Sequence, residues 1–352
     1  MNTATQEWEA YVESERALLT PILTARGYTL DETQPHLKGE RYLQQAISST
    51  SGPKIILIGK RASDNARVVI KATTNKNGAA EIEHERLCRT ALTQIVFAYR
   101  TFYAPTELDY FVKKGMTVSV QEFIEQDSTF LERPLAEQFA IALNGFKIQE
   151  GAHATTYGHL KRISKIFPIW KAKDYLLAAE GFGPSTEAFK ALTAGTRQIE
   201  QYCGFLTHSD FVPHNIRVRD NKLYLLDHSA IRFGNKYEGW ARFINFMVLY
   251  NPPLADALLA YVRENRTPEE SESLRLMRIY RLVEILAYYR GVLSRSEGNL
   301  LDLNQARISF WSEALQSILN NSPLNTQIRE QYIQARDSLR SEDEKRRQIG
   351  LH

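Results

Sequence analysis

The sequence predicts an α+β fold of two lobes, in which a small antiparallel sheet with one inserted helix is followed by a larger, mainly helical lobe. Three observations lead to this prediction. The apolar segments between residues 41 and 124 are mostly strand-length and rich in β-branched side chains. One segment inside that region has helical spacing instead. Beyond residue 134 the apolar side chains recur with helical spacing over long stretches.

The predicted small lobe covers residues 41–124 and follows a helical extension at 1–40. The extension is predicted because apolar side chains recur at helical spacing over 7–26, and Gly27 suits a helix end. The inserted helix is expected over 79–98, with Ile82, Cys88 and Leu92 on its apolar stripe. Strands of the small lobe are expected at 41–48, 54–60, 67–72, 108–113 and 117–124.

The predicted large lobe covers residues 125–352. One β-hairpin interrupts its helices over 215–227, where Asp220-Asn221 forms the turn between two apolar strands. The helical pattern resumes after it and continues almost to the end of the chain. Helices are expected at 134–149, 186–203, 237–250, 254–263, 270–294, 303–320 and 325–341.

Composition limits the classes of function. The net charge of +3 is small for 352 residues and gives no support for a nucleic-acid or membrane-surface partner. No apolar run approaches the roughly 18 residues that a membrane span requires. Residues 1–8 lack the basic and apolar regions of a secretory signal, and neither Cys88 nor Cys203 belongs to a C-x-x-C motif. A cytoplasmic enzyme is therefore expected.

The chemistry-bearing motif is His208-x-Asp210-x-x-x-x-Asn215, followed by a hairpin that ends at Asp227. Phosphoryl transfer needs a carboxylate that orients the incoming hydroxyl and accepts its proton, which is the role expected of Asp210. It also needs oxygen ligands that hold Mg²⁺ against the nucleotide phosphates, and we assign these to Asn215 and Asp227. His208 is interpreted as structural. A zinc site of His208, His214 and His228 matches no compact zinc spacing.

A lysine on an apolar strand supplies a second element of this chemistry. Lys71 follows Val68-Val69-Ile70, and a lysine buried there needs a partner. In the following helix Glu85 shares the face of Ile82 and Cys88, so we predict a Lys71–Glu85 ion pair. Glu81, one turn earlier, is the alternative. Lys71 would then reach the α- and β-phosphates.

These residues resemble the motifs of the aminoglycoside phosphotransferase family, small-molecule kinases with the protein-kinase fold, over about residues 40 to 250. The resemblance implies a base at Asp210, metal ligands at Asn215 and Asp227, and phosphate binding by Lys71. It also implies a hinge in which the Glu122 carbonyl and the Ile124 N–H bind the purine of ATP or GTP. The hydroxyl-rich loop that contains Ser51 and Gly52 would cradle phosphates through its backbone N–H groups.

The sequence departs from the family pattern at several positions. Ser209 stands where glycine is usual, and His228-Ser229 replaces the aromatic and acidic or glycine residues after the metal aspartate. Residues 238–242 read Glu-Gly-Trp-Ala-Arg in place of a short aspartate-containing segment. These departures indicate a divergent member and leave one alternative, a catalytically silent nucleotide-binding or scaffold protein. A protein-modifying kinase is disfavoured, because no activation segment with an A-P-E-like end is present.

The sequence does not identify the acceptor, the oligomeric state or the choice between ATP and GTP. Enzymes that bind polycationic aminoglycosides need an acidic acceptor cleft, whereas the late helices here mix charges evenly. We therefore expect a neutral or anionic small molecule with a hydroxyl group. Residues 270–295 favour this expectation, because they carry Arg275, Arg278, Arg281, Arg290 and Arg295.

Overall fold

The computed structural model describes residues 3–37, 52–93, 102–156, 165–181 and 187–340, together with Lys345. The predicted strand at 41–48, the last residues of the predicted helix at 79–98, and Ser51 lie outside the described residues. Within them, a small antiparallel sheet is followed by a larger helical part. This arrangement confirms the predicted α+β, two-lobed, kinase-like fold.

The N-terminal sheet has five antiparallel strands in the order β1-β2-β3-β6-β5. Two of its turns are tight, because Asn65 and the Lys114-Gly115 pair adopt positive φ. Alternate side chains along most of β3 are buried, β2 is buried over Leu57–Gly59, and nearly all of β6 is buried, as expected for strands inside a sheet. The elements of this part are helix α1 Thr3–Thr24, β1 Tyr28–Leu30, β2 Ile55–Arg61, β3 Arg67–Thr73, helix α2 Lys76–Thr93, β4 Phe102–Tyr103, β5 Glu107–Lys113 and β6 Met116–Glu122.

The N-terminal helix α1 packs on this sheet. Its Leu19 and Leu23 are buried in one apolar cluster with Ile70. Near the start of α2, the Glu15 carboxylate accepts a hydrogen bond from the backbone N–H of Thr74 at 3.1 Å. Residues of the predicted extension therefore share the core of the small lobe, and strand β1 extends its sheet.

The large lobe consists of helices packed around an aromatic core. Trp240 stacks on Phe146 with 4.0 Å between ring centroids, and Phe211 lies 5.6 Å from Phe146. No helix among the described residues combines the length and apolarity needed to cross a bilayer. The helices are α3 Leu135–Thr156, α4 Ala172–Gly181, α5 Glu187–Ala194, α6 Thr196–Gln201, α7 Glu238–Tyr250, α8 Pro252–Asn265, α9 Pro268–Leu293, α10 Gly298–Leu319 and α11 Thr326–Leu339.

Four short strands carry the motif residues between α6 and α7. Strands β8 Ile216–Arg219 and β9 Lys222–Leu225 form the predicted hairpin, with Asp220 and Asn221 at positive φ in its turn. Strands β7 Phe205–His208 and β10 Ile231–Gly234 pair antiparallel on either side of the hairpin. The segment from Asp210 to Asp227 thus lies between β7 and β10, the two paired strands of one ladder.

Several elements differ from the sequence-based prediction. The single helix predicted over 186–203 is instead two helices, α5 and α6, because the helix is interrupted at Gly195. A Cβ at Gly195 would lie 2.3 Å from the Leu276 Cδ1 of α9, so a larger residue there would displace that side chain. Helix α4 and strands β1, β4, β7 and β10 were not predicted. The strands have two to four residues, which is too short for a clear alternation.

Candidate active site

The turn after β7 presents Asp210, and Asn215 fixes its position. The Asn215 amide Nδ2 donates to the Asp210 backbone carbonyl at 2.9 Å and to its Oδ2 at 3.1 Å. Asn215 ends a single 3-10 turn that begins at Pro213, and its carbonyl accepts from the Leu226 N–H at 2.8 Å. The five-residue spacing of the motif is therefore the spacing at which the amide closes a loop on the carboxylate.

An arginine absent from the sequence-based site also binds Asp210. Both Nε and Nη2 of Arg242, on α7, lie 3.0 Å from Asp210 Oδ1. Burial opposes ionisation of Asp210, but the charge of Arg242, assisted by His214 and His208, holds the pKa of the carboxyl well below its ordinary value. Asp210 is consequently an anion at neutral pH. Asp210 and Arg242 are 32 positions apart, so no local spacing in the sequence predicts their contact.

Asp227 lies two residues after the end of β9 and has left-handed backbone conformation, with φ of 55°. That conformation is uncommon for a residue other than glycine and ends the strand sharply. The Ser229 hydroxyl donates to Asp227 Oδ1 at 2.6 Å. One residue earlier, the Leu226 carbonyl accepts from His208 Nε2 at 3.0 Å, so the motif histidine ties the two halves of the site together.

Lys71 and Glu85 form the predicted ion pair, with Lys71 Nζ 2.6 Å from Glu85 Oε1. Glu85 is buried, and its pKa is lowered because Lys71 outweighs the effect of desolvation. The alternative partner, Glu81, instead binds Lys54 at 2.6 Å. Two parallel ion pairs therefore link the sheet to α2, and the apolar stripe of the helix selected the correct one for Lys71.

Helix α2 also reaches the segment that follows Asp227. Cys88 packs with Ile231 and Phe233 of β10 in one buried cluster. Burial raises the pKa of Cys88 to about 12, with further contributions from the charges of Glu85 and Asp227. The Lys71–Glu85 pair and Asp227 thus lie around the same stretch of α2, although 142 residues separate Glu85 from Asp227 in sequence.

Gly52 packs against the start of α2. A Cβ on Gly52 would lie 2.1 Å from the Gly78 backbone nitrogen, so only glycine fits this approach. The Asn75 side chain accepts from the N–H groups of Asn77 and Gly78 and occupies this helix end. The structure therefore gives Gly52 a packing role, and its contact with phosphate stays a prediction, as does that of Ser51.

The predicted hinge follows the end of β6. The Glu122 carboxylate pairs with Arg219 of β8 at 2.8 Å, and the Arg67 guanidinium stacks 3.9 Å over the Phe123 ring. Ile124 is buried. The side chain of Glu122 thus connects the sheet with the hairpin of the catalytic segment, while the backbone contacts of Glu122 and Ile124 with a purine stay predictions.

No protein-family model and no curated protein sequence matches this chain. Solved structures match its fold. A thermostable mutant of the aminoglycoside phosphotransferase APH(4)-Ia, in apo form, is 13% identical with a TM-score of 0.50, over 80% of this chain and 99% of that one. The GDP and kanamycin complex of APH(2")-IIia is 14% identical with a TM-score of 0.52, over 78% and 92%.

A third match is amicoumacin kinase hAmiN in complex with AMP-PNP, Ca²⁺ and Ami. It is 12% identical with a TM-score of 0.50, over 79% of this chain and 88% of that one. The chain has the aminoglycoside phosphotransferase fold. The fold brings together the motif segment at 208–227, strand β3 with Lys71, and the inserted helix α2.

The positions that depart from the usual phosphotransferase sequence have structural partners here. The Ser209 N–H and hydroxyl both donate to the Ala230 carbonyl, at 2.8 and 2.9 Å. His228 is buried, and burial lowers its pKa to about 3, so this imidazole is neutral at pH 7. Ser209 therefore links the turn after β7 to the segment after Asp227, and neither it nor neutral His228 nor Ser229 adds a charge to the site.

Glu238 is the first residue of α7 and of the departing segment at 238–242. Its fully buried carboxylate accepts from the Tyr175 hydroxyl at 2.8 Å and from Arg232 Nε at 3.1 Å. Next to it, the Gly239 N–H donates to the Thr207 hydroxyl at 3.2 Å. A Cβ at Gly239 would lie 2.9 Å from the His208 carbonyl oxygen. The start of α7 is thus held directly against β7, which places Arg242 beside Asp210.

Asn215 and Asp227 have side chains of the types that a magnesium ion takes as ligands, and their role as metal ligands stays a prediction. Asn215 Nδ2 is fixed by Asp210, which orients its Oδ1 as the remaining ligand atom. In the part of the chain that the structure describes, no cluster of three or more His, Cys, Asp or Glu side chains could hold a metal. One carboxylate and one carboxamide suit Mg²⁺, which retains waters and takes its other ligands from phosphates.

Proposed function

We propose that this protein is an ATP- or GTP-dependent phosphotransferase that transfers the γ-phosphoryl group to a hydroxyl of a small molecule. The observation that carries the proposal is the Asp210 carboxylate, held by Asn215 and Arg242 in the turn after β7. Two solved structures of the same fold contain both a nucleotide and a small molecule. APH(2")-IIia was solved with GDP and kanamycin, and amicoumacin kinase hAmiN with AMP-PNP, Ca²⁺ and Ami. Those ligands support a nucleotide and a small-molecule acceptor as partners here.

The residues of the site divide the reaction between them. Asp210 orients the acceptor hydroxyl and takes its proton as the acceptor oxygen bonds to the γ-phosphorus. The bond from that phosphorus to the bridging oxygen breaks, and the nucleoside diphosphate leaves with the electron pair. Lys71, aligned by Glu85, balances charge on the α- and β-phosphates. Asn215 and Asp227 would hold Mg²⁺, which supplies charge neutralisation at the phosphates.

Arg242 supports a neutral or anionic acceptor. A hydroxyl that approaches Asp210 also approaches the guanidinium bound to it, at 3.0 Å from the same carboxylate. Because Arg242 neutralises Asp210, this part of the site has no net negative charge to attract a polycation. Transfer of phosphate from ATP to kanamycin-like compounds, with no transfer to sugars or phosphorylated metabolites, would contradict this assignment.

Nucleotide binding provides the first test. We expect ATP with Mg²⁺ to raise the melting temperature of the wild-type protein, because a ligand that binds only the folded state stabilises it. Asp227→Ala should lose the Mg²⁺-dependent part of the shift, and Asp220→Ala, at an exposed hairpin turn, should keep it. An unchanged Mg²⁺ dependence in Asp227→Ala would remove the metal assignment, and no shift in the wild type would contradict the proposal.

Catalysis provides the second test. A library of neutral and anionic hydroxyl compounds, incubated with γ-labelled ATP and Mg²⁺, should yield a phosphorylated product with the wild-type protein. The silent alternative predicts a nucleotide-dependent rise in melting temperature with no labelled product from any member. The two measurements together distinguish an active phosphotransferase from a nucleotide-binding scaffold.

Arg242→Gln should move the acid side of the pH–rate profile. Arg242 lowers the pKa of Asp210, so the wild-type base stays ionised as the pH falls. Removing the guanidinium raises that pKa, and activity is then lost at a higher pH. The measurement is kcat/KM against pH, which reports the free enzyme. Arg263→Gln, an equal charge change at an exposed position of α8, should leave the profile unchanged.

A further inference from the structure

The helical lobe contains a cavity of about 550 Å³ that the proposed chemistry does not use. It lies between α7, α8, α9, α10 and the start of α11, and its lining includes neither Asp210 nor Asp227 nor Lys71. Its volume is within the range of small-molecule sites, roughly 300 to 1,000 Å³. The cavity is therefore large enough for an organic ligand and separate from the proposed catalytic centre.

One part of the cavity wall is apolar and another part is cationic. The apolar part includes Val248, Leu259 and Leu282. The charged part consists of Arg275, Arg278, Arg329 and one carboxylate, Asp256. Arg275 is already paired with Glu272 at 2.7 Å. The remaining two guanidinium groups face a single carboxylate, so the cavity has a net positive charge.

Arg278 is the group that points to a ligand. Its Nε donates to the Asn245 side-chain oxygen at 2.9 Å, and Asn245 in turn donates to the Arg278 carbonyl at 3.0 Å. Over the described ranges Arg278 has no carboxylate within ion-pair distance, and Asp256 acts on it only from farther away. Burial lowers the pKa of Arg278 to about 10, which reflects a partly desolvated charge that lacks a counter-ion.

We propose that this cavity is a second ligand site, which binds a small organic anion with a phosphate or carboxylate group on an apolar body. The anionic group would bind the Arg278 guanidinium, whose planar fork suits bidentate contact with such groups. The apolar body would lie against Val248, Leu259 and Leu282. Asn245 holds the Arg278 fork in place, and it lies one turn beyond Arg242 on α7, about 4.5 Å along the helix axis.

Phenyl phosphate and phenol are matched probes for this site, since they differ by the anionic group. Calorimetric titration of the wild-type protein should give saturable binding of phenyl phosphate and at least tenfold weaker binding of phenol, about the effect of one charge-assisted contact. Saturating AMP-PNP with Mg²⁺ should leave this binding unchanged. Blocking by the nucleotide would place the probe at the catalytic centre and overturn the proposal, as would equal affinity for phenol or no binding.

Variants test the assignment to Arg278. Arg278→Leu should weaken phenyl phosphate binding by about tenfold or more, and Arg278→Lys should retain part of it. Arg61→Gln, which removes the same charge from the end of β2 in the small lobe, should bind as the wild type does. Ala314→Phe, which narrows the cavity while Arg278 is kept, should also lose the probe. Wild-type affinity in Arg278→Leu or in Ala314→Phe would overturn the proposal.

Discussion

Asp210→Asn should lower the rate of phosphoryl transfer by about 10²–10⁴-fold, the usual contribution of a positioned general base. The amide keeps the size of the carboxylate, but its single oxygen can accept from only one of the two present donors, Arg242 at Oδ1 or Asn215 at Oδ2. It cannot take the proton of the acceptor hydroxyl. The loss should therefore appear in kcat, measured as product formed at saturating nucleotide, while the fold and the nucleotide site persist.

Nucleotide affinity provides the internal control for this substitution. Asp210 is not one of the residues proposed to hold phosphate or metal, so Asp210→Asn should show the wild-type thermal shift with ATP and Mg²⁺. Asp220→Asn changes the same side chain at an exposed position of the β8–β9 turn and should retain full activity. A kcat within a few-fold of the wild-type value in Asp210→Asn would exclude Asp210 as the base.

The parts of the site that the sequence predicts are those fixed by local geometry. Glu85 was selected over Glu81 because it shares a helix face with Ile82 and Cys88, and the structure places it on Lys71. Asp210 and Asn215 are five residues apart, and their contact closes within one loop. In each case a short spacing along the chain specifies which side chains meet.

Arg242 was not predicted, because its contact depends on tertiary packing. The helix that carries it is apparent in the sequence, but the face that meets Asp210 is set by the buried Glu238 and by Gly239 against β7. The pairing of β7 with β10 is equally non-local, with Ile231 opposite His208. Helical periodicity in the sequence predicts that α7 exists. Which face of α7 contacts β7 is determined only by the packing of the whole lobe.

The unusual residues around the metal aspartate bear on whether the site is active. Ser209 donates to the Ala230 carbonyl on the other side of the site, Ser229 donates to Asp227 itself, and neutral His228 is buried beside them. Each therefore replaces a usual residue by one that the surrounding structure accommodates. These contacts favour an intact site over a degenerate one, which supports the active phosphotransferase over the silent alternative.

Glu85→Gln should destabilise the protein by about 3–5 kcal/mol, the usual effect of removing one partner from a buried ion pair. The side chains of Lys71 and Glu85 are 15% and 6% exposed, so Lys71 would keep a desolvated charge without its counter-ion. The free energy of unfolding in urea measures this effect. Glu81→Gln is the matched control, because Lys54 and Glu81 are 25% and 32% exposed and should contribute about 0–1 kcal/mol.

Replacing both partners separates stability from catalysis. Lys71→Met with Glu85→Leu removes both buried charges, so the double variant should recover most of the stability lost by Glu85→Gln. It should remain inactive, because no cation then meets the α- and β-phosphates. Recovery of stability with loss of nucleotide-dependent transfer would show that Lys71 acts on the nucleotide. Full activity in the double variant would reduce the pair to a structural contact between β3 and α2.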